Sequence, residues 1–202
     1  MMNKKNKKIH IGCFDQIHDG WINTDITPHI FITHIPFLPY VLYRSGKISE
    51  ERFRQHKKGI FKKVKYLNVK KRFPIKDGAC ECVYASHLFE HLYYDDARHC
   101  VSEIHRILEK EGIIRIAVPD LDTIIKNYDP MKSDEFCSAL FESDQSRVKN
   151  QHHWMYNEAS LKKLLHVAGF KTVDRCLYRK GKCPDVEKID NRPDSLFVEA
   201  IK

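Results

Sequence analysis

With 202 residues, 42% of them hydrophobic and 31% charged, the chain has the composition of a globular protein large enough for one domain with a real core. No apolar stretch approaches the roughly 20 residues that span a bilayer, and the basic start MMNKKNKKIHIG lacks the apolar run of a secretory signal, so a cytoplasmic protein is expected. The formal net charge of +8 is local, because residues 44–72 carry a net +10 and the remainder a net −2.

That basic segment reads either as a solvated lysine-rich face or as a surface for phosphates, nucleic acid or anionic lipid. Seven cysteines are scattered without a C-x-x-C pair, which favours reduced thiols over a disulfide framework.

Residues 8–12 alternate and break at Gly12, predicting a first strand. Residues 21–26 predict a second, with Asp25 near its end. Too few residues lie between them for more than one or two helical turns. Residues 30–43 are apolar and aromatic, but Pro36 and Pro39 forbid a regular helix through them. A helix is expected over 48–64, capped by Ser49 with Glu50 and Glu51 in its first turn. Residues 27–63 thus form an aromatic and basic insert, or lid, within a single domain of 1–202.

Further strands are expected at 64–69, 82–85 and 113–118. A helix with Ala97, Val101, Ile104 and Leu108 on one face should end at Gly112. Asn157 caps a helix whose apolar face is Leu161, Leu164, Leu165 and Ala168, and Gly169 closes it. The last strands, 171–178 and 195–201, are joined by a loop without helical period and can pair antiparallel. Alternating strands and helices predict an α/β fold with a mostly parallel sheet and a final antiparallel hairpin at its edge.

The segment CVYASHLFEHL carries the most chemistry. A short buried strand ends in Ser86, His87, Glu90 and His91, and ligands of open α/β sheets bind outside the carboxyl ends of strands. The same letters match the inverted zinc-peptidase pattern H-x-x-E-H from His87 to His91. That pattern needs a third ligand, which no spacing singles out among twelve histidines. Its first residues also read as strand. A metal site is therefore not expected. Asp120 follows the fifth strand and is either a site residue or a turn former after Pro119. The cluster from His152 to Tyr156 is either core packing or the acceptor side of a site, with a histidine as general base.

Several motifs then occur in one order: IGC, GWINTDI, YLNVKKRFPIKDG, CVYASHLFEHL, RILEKEG, IIRIAVPDL, HHWMYNEASLKKLLHVAGF and SLFVEAIK. Over nearly the whole chain this order resembles the class I S-adenosylmethionine-dependent methyltransferases, especially small bacterial ones with Ser-His-x-x-Glu-His-Leu and Val-Pro-Asp motifs. The resemblance implies a Rossmann-like, seven-stranded, mostly parallel sheet with an antiparallel last strand and helices on both faces. It also implies S-adenosylmethionine as cofactor.

By the resemblance, Gly12, Cys13 and Phe14 lie at the turn near the cofactor's amino-acid end. Asp25 takes the ribose hydroxyls, Asn68 and Val69 lie near the adenine, and Ser86 and His87 near the methionine part. His153 or His91 is the expected base, with Asp120 and Tyr156 at the same mouth. The family's second loop glycine is Phe14 here, whose side chain either crowds the cofactor or forces a different turn. The expected acceptor is small, or glycan- or lipid-linked and anionic, such as a cell-envelope precursor; peripheral membrane contact fits the basic insert. The rival readings are a methyltransferase-fold binding module without catalysis and, third, a nucleic-acid methyltransferase.

Overall fold

The structure, a computed structural model, describes residues 7–141 and 151–202. In chain order the elements are β1 (Lys7–Ile11), β2 (Ile22–Asp25), α1 (His29–Ile32), α2 (Leu38–Arg44), α3 (Glu50–Lys57), β3 (Val64–Tyr66), β4 (Cys80–Ser86), α4 (Tyr94–Ile107), β5 (Leu108–Pro119), α5 (Leu121–Lys126), α6 (Ser133–Phe141), α7 (Glu158–Val167), β6 (Thr172–Cys176), α8 (Val186–Ile189) and β7 (Ser195–Ile201). Short 3-10 turns occupy Ile60–Lys63, Phe89–His91 and Pro130–Lys132.

The strands form one seven-stranded sheet in the order β3-β2-β1-β4-β5-β7-β6. β7 runs antiparallel to both of its neighbours, and the pairings from β3 through β5 are parallel. The expected terminal hairpin forms, but β7 enters the sheet between β5 and β6, so β6 is the edge strand.

Alternation along the strands sorts the two faces. Ile9, Val83 and Ile114 pair across β1, β4 and β5 and face the main core with α4 (Ala97, Val101, Ile104) and α7 (Leu161, Leu164, Leu165). α7 begins where its sequence says it should. The Asn157 side chain accepts from the Ser160 amide at 3.0 Å, and the Ser160 hydroxyl accepts from the Asn157 amide in return.

The other face carries His10, Tyr84, Arg115 and Glu199, which follow one another in register across β1, β4, β5 and β7. A parallel crossover normally brings a helix of a dozen or so residues onto such a face. Residues 12–21 between β1 and β2 contain none. The loop between β6 and β7 covers the face instead, with the single turn of α8 packing Val186 and Ile189 on Trp21, Cys82 and Tyr84. The Tyr84 hydroxyl donates to the Ile189 carbonyl at 3.0 Å, and the Trp21 indole donates to Asp185 at 3.0 Å.

Arg115 holds this loop down. It is fully buried and forks onto Asp190, with Nε to Oδ1 at 3.0 Å and Nη2 to Oδ2 at 2.5 Å. Its Nη1 donates to Glu199 Oε1 at 2.8 Å and to the Lys180 carbonyl, and its Nη2 to the Leu177 carbonyl.

Two local expectations are corrected. α4 ends at Ile107, not at Gly112, because Leu108 is buried and already pairs with Cys80 in the sheet. Gly112 is instead a close-approach residue, since a Cβ there would lie 2.8 Å from the Glu109 carbonyl oxygen. The helix expected over 48–64 is α3 alone, capped by Ser49 as foreseen and broken before Gly59 at φ 70°. As expected, no regular helix runs through 30–43: α1 and α2 lie on either side of Pro36. Pro39 sits in the first turn of α2, where its missing N–H has no partner to lose.

Replacing Arg115 by Met should leave two buried carboxylates without their cation and destabilise the protein by about 3–5 kcal/mol. Urea unfolding checks this. A loss below about 1 kcal/mol would mean that the loop is held by its apolar contacts alone.

Candidate functional site

A cleft of about 820 Å³ opens at the carboxyl ends of β1, β2 and β4. Of the residues singled out in the sequence, Gly12, Cys13, Phe14, Asp25, Asn68, Val69, Ser86, His87, His91 and His153 line it. Asp120 and Tyr156 do not. Asp120 caps α5 and pairs with Arg175 at 3.0 Å. Tyr156 packs in the main core, and its backbone bridges that of Asp120.

The loop after β1 explains Phe14. Gly12 takes φ 70° and lies so close to Leu88 that a Cβ would meet its side chain at 3.0 Å. Phe14 takes φ 46°, a left-handed turn that glycine adopts more readily. In that conformation its amide donates to Asp25 Oδ2 at 2.9 Å. Its ring meets Arg52, 4.2 Å from the guanidinium, and the edge of Phe61. The next residue, Asp15, accepts from Arg52 at 3.1 Å and from Gln55 at 2.9 Å. Loop and insert are thus docked together through Phe14 and Asp15.

Asp25 is fixed by two backbone amides, Phe14 to Oδ2 and Thr27 to Oδ1 at 2.7 Å. A carboxylate has about four lone-pair sites, so both oxygens keep capacity for further donors. Cys13 is buried, and burial pushes its thiol well above the usual range, so it contributes small size and not a nucleophile.

At the end of β4, His87 has φ 50°, and its ring stands between Ser195 and Glu90. Its Nε2 lies 2.8 Å from the Ser195 hydroxyl and its Nδ1 3.0 Å from Glu90 Oε1. Phe89–His91 is a 3-10 turn, so the histidines of H-x-x-E-H do not share an α-helical face. The inverted zinc-peptidase arrangement is not formed.

Sequence reasoning missed the opposite wall. Ile189, Asn191 and Arg192 reach the cleft from the β6–β7 loop, which carries no periodic signal. It also missed His10 and His18, stacked at 4.7 Å on the cleft's inner side.

The chain matches the methyltransferase domain family over residues 24–175. It belongs to that family. No curated protein matches it. Among solved structures, a SAM-dependent methyltransferase of Archaeoglobus fulgidus superposes with a TM-score of 0.56 at 15% identity, covering 98% of this chain and 86% of its own. A putative methyltransferase of Haloferax volcanii, solved with a methyltransferase activator, gives 0.52 at 12% identity, covering 98% and 82%. At such identities the likeness concerns the fold: a mostly parallel seven-stranded sheet with β7 reversed.

The Archaeoglobus fulgidus neighbour is a SAM-dependent methyltransferase, and the residues lining this cleft fit S-adenosylmethionine. Gly12 presents no side chain where the turn approaches Leu88, the Asp25 carboxylate can receive hydroxyl donors, and the cleft has the volume of a small-molecule site.

Burial, with His18 close by, holds the His10 imidazole down at about 3. Burial also lowers His18. In the insert, His29 is held at about 4 by burial and by neighbouring His56, whose ring nitrogen lies 2.9 Å away and which is itself lowered by burial. The unfolded imidazoles protonate near 6.5, so below that pH the unfolded state binds protons that the folded state does not. Their contribution to stability is complete above about 6.5 and is lost as the pH falls toward 4 and then 3. Unfolding midpoints measured from neutral pH downward should fall steadily, and His10→Asn should flatten the slope. A pH-independent midpoint between about 7 and 5 would contradict it.

Proposed function

We propose that the chain transfers a methyl group from S-adenosylmethionine to a hydroxyl of an anionic, glycan- or lipid-linked acceptor such as a cell-envelope precursor. The observation that carries this reading is the continuity between the Asp25 cleft and an exposed apolar and basic rim, joined through Phe14 and Arg52. On that rim Phe31, Ile35, Phe37, Tyr40 and Val41 are all more than half exposed, and α2 buries none of its residues. Arg44, Lys47, Lys57 and Lys58 follow on the same insert. Such a surface suits an acceptor with an apolar part and a phosphate.

When bound, S-adenosylmethionine supplies an electrophilic methyl on a sulfonium. Asp25 receives the ribose hydroxyls, Asn68 and Val69 flank the base, and Ser86 and His87 wall the methionine part. Leu88 and the Gly12 turn close the floor. His153 takes the acceptor's proton at a ring nitrogen. Its ring stacks on Tyr93 at 4.2 Å and its amide is tied to the Glu90 carbonyl at 2.7 Å, which orients it at the cleft.

Calorimetry with S-adenosylmethionine and S-adenosylhomocysteine should show binding that Asp25→Ala weakens by roughly tenfold or more. His153→Ala should leave that binding intact and lower kcat by about 10²–10⁴-fold once an acceptor is supplied. No binding of either ligand at millimolar concentration would sink the enzymatic reading and favour a fold retained as a binding module.

The rim makes a separate prediction. The protein should co-sediment with vesicles containing phosphatidylglycerol, weakly with neutral ones, and Phe37→Glu should abolish retention. Equal recovery with neutral and anionic vesicles would remove the anionic-lipid part of the proposal.

A further inference from the structure

Glu90, His91 and His152 meet at the cleft, and one potential ligand atom from each lies within 4.8 Å of the other two. Glu90 is the informative member. Its residue is 0% exposed, and neither carboxylate oxygen accepts a hydrogen bond. The His87 ring stands at ion-pair distance, with Nδ1 3.0 Å from Oε1, but not in hydrogen-bond geometry, and Arg192 approaches the same Nδ1 at 3.3 Å. An ionisable group buried this deeply is ordinarily paired, hydrogen-bonded or bound to a metal.

Both imidazoles are held by backbone carbonyls. His91 Nδ1 lies 3.3 Å from the Gln151 carbonyl, and His152 Nδ1 lies 3.1 Å from the Leu140 carbonyl. Those contacts select the tautomer with its lone pair on Nε2, and a ring N–H held by a backbone carbonyl is the usual support of a ligating histidine. The two rings lie 5.1 Å apart. Backbone bonds fix their spacing, because the His153 and Trp154 amides both donate to the Glu90 carbonyl, at 2.7 and 3.2 Å.

We propose that Glu90, His91 and His152 bind one divalent transition-metal ion. Two imidazoles and a carboxylate are the donor set of open zinc sites and of non-haem iron(II) and related centres; magnesium and calcium prefer oxygen ligands alone. Ligand atoms around one tetrahedral ion lie roughly 3.3 Å apart for bonds of about 2.0–2.1 Å, so small side-chain rotations close the set. Three protein ligands leave coordination positions open to the cleft.

The role of the ion rests on the methyl-transfer reading, whereas the binding itself does not. The ion would hold the acceptor's hydroxyl and make it more acidic. The hydroxyl proton passes to His153, the acceptor oxygen forms its bond to the methyl carbon, and the carbon–sulfur electron pair leaves with sulfur. The methyl donor and the acceptor thereby share one cleft, with His87 and Glu90 between their sites.

The test uses the full chain, stripped by chelation and titrated calorimetrically with zinc chloride and with manganese chloride. Cobalt(II) absorption reports the coordination. One ion per chain is expected for zinc, and cobalt should give the bands of a low-coordinate nitrogen and oxygen site. Glu90→Gln and His152→Ala should each weaken binding by roughly 100-fold or more, while His99→Ala, on an exposed helix face, should not. His91→Ala provides the same test should Glu90→Gln fail to fold. Absence of saturable binding at millimolar ion, or binding that these substitutions leave unchanged, would overturn the site. S-adenosylmethionine binding is measured in the same samples. Donor binding without ion binding refutes only the metal site, and ion binding without donor binding refutes only the proposed reaction.

Discussion

Arg115 is the constraint on which the rest of the structure leans. It stands on a sheet face to which the short β1–β2 crossover brings no helix. Something must cover that face, and the β6–β7 loop does so with few apolar residues. Three of them, Cys183, Val186 and Ile189, pack on Trp21, Cys82, Tyr84 and partly buried Ile113 in a small second cluster. The loop is therefore held by polar contacts aimed at one guanidinium. Asp190 and Glu199 also draw in the loop's own backbone, accepting from the amides of Arg179, Lys182 and Cys183 at 2.7–3.0 Å. The planar fork of arginine suits this multiple attachment, and a lysine ammonium would not reproduce it.

The consequence reaches the cleft. Once the loop is pinned at Asp190, the adjacent Asn191 and Arg192 fall on the cleft wall, and Ser195 arrives at the start of β7 beside His87. His87 in turn lies against Glu90, whose backbone carbonyl secures the segment around His153. A buried charge in the sheet thus sets the positions of side chains at the strand ends, through a loop with almost no regular structure.

Much of this order was legible in the sequence, and the remainder fails for identifiable reasons. β1 shows in alternation, β4 and β5 in short apolar runs, and α7 in its Asn157 cap and apolar face. The wall at Ser86 and His87 follows from the rule that strand ends bind ligands, whereas Gly12 and Asp25 are implied by the family resemblance. Gly12 and Asp25 belong to strands short enough that the break marks the end. Gly112 misled because a glycine after a helical stretch reads as a cap, whereas here the backbone of Glu109 excludes a side chain. The role of Arg115 in IIRIAV could not be read locally, because its carboxylates, Asp190 and Glu199, lie far along the chain, where no periodicity announces them. The partner of Glu90 and His91 was hidden for the same reason. His152 lies near Glu90 only because two amides bind one carbonyl, a tertiary contact that spacing does not encode.

Phe14 shows how the two halves of the cleft are coupled. A residue with a side chain in a left-handed turn carries a conformational cost that glycine avoids. That conformation places its amide on Asp25 and its ring against Arg52. Glycine could make the first contact but not the second. The aromatic ring therefore ties the carboxylate of the donor pocket to the insert that bears the apolar and basic rim. Opening that rim to admit a bulky acceptor must disturb the Phe14 ring, the Asp15 pair with Arg52 and Gln55, or both. Because the Phe14 amide belongs to the same turn, such motion is transmitted to Asp25. Under the proposed function, entry of the acceptor and grip on the methyl donor would therefore not be independent.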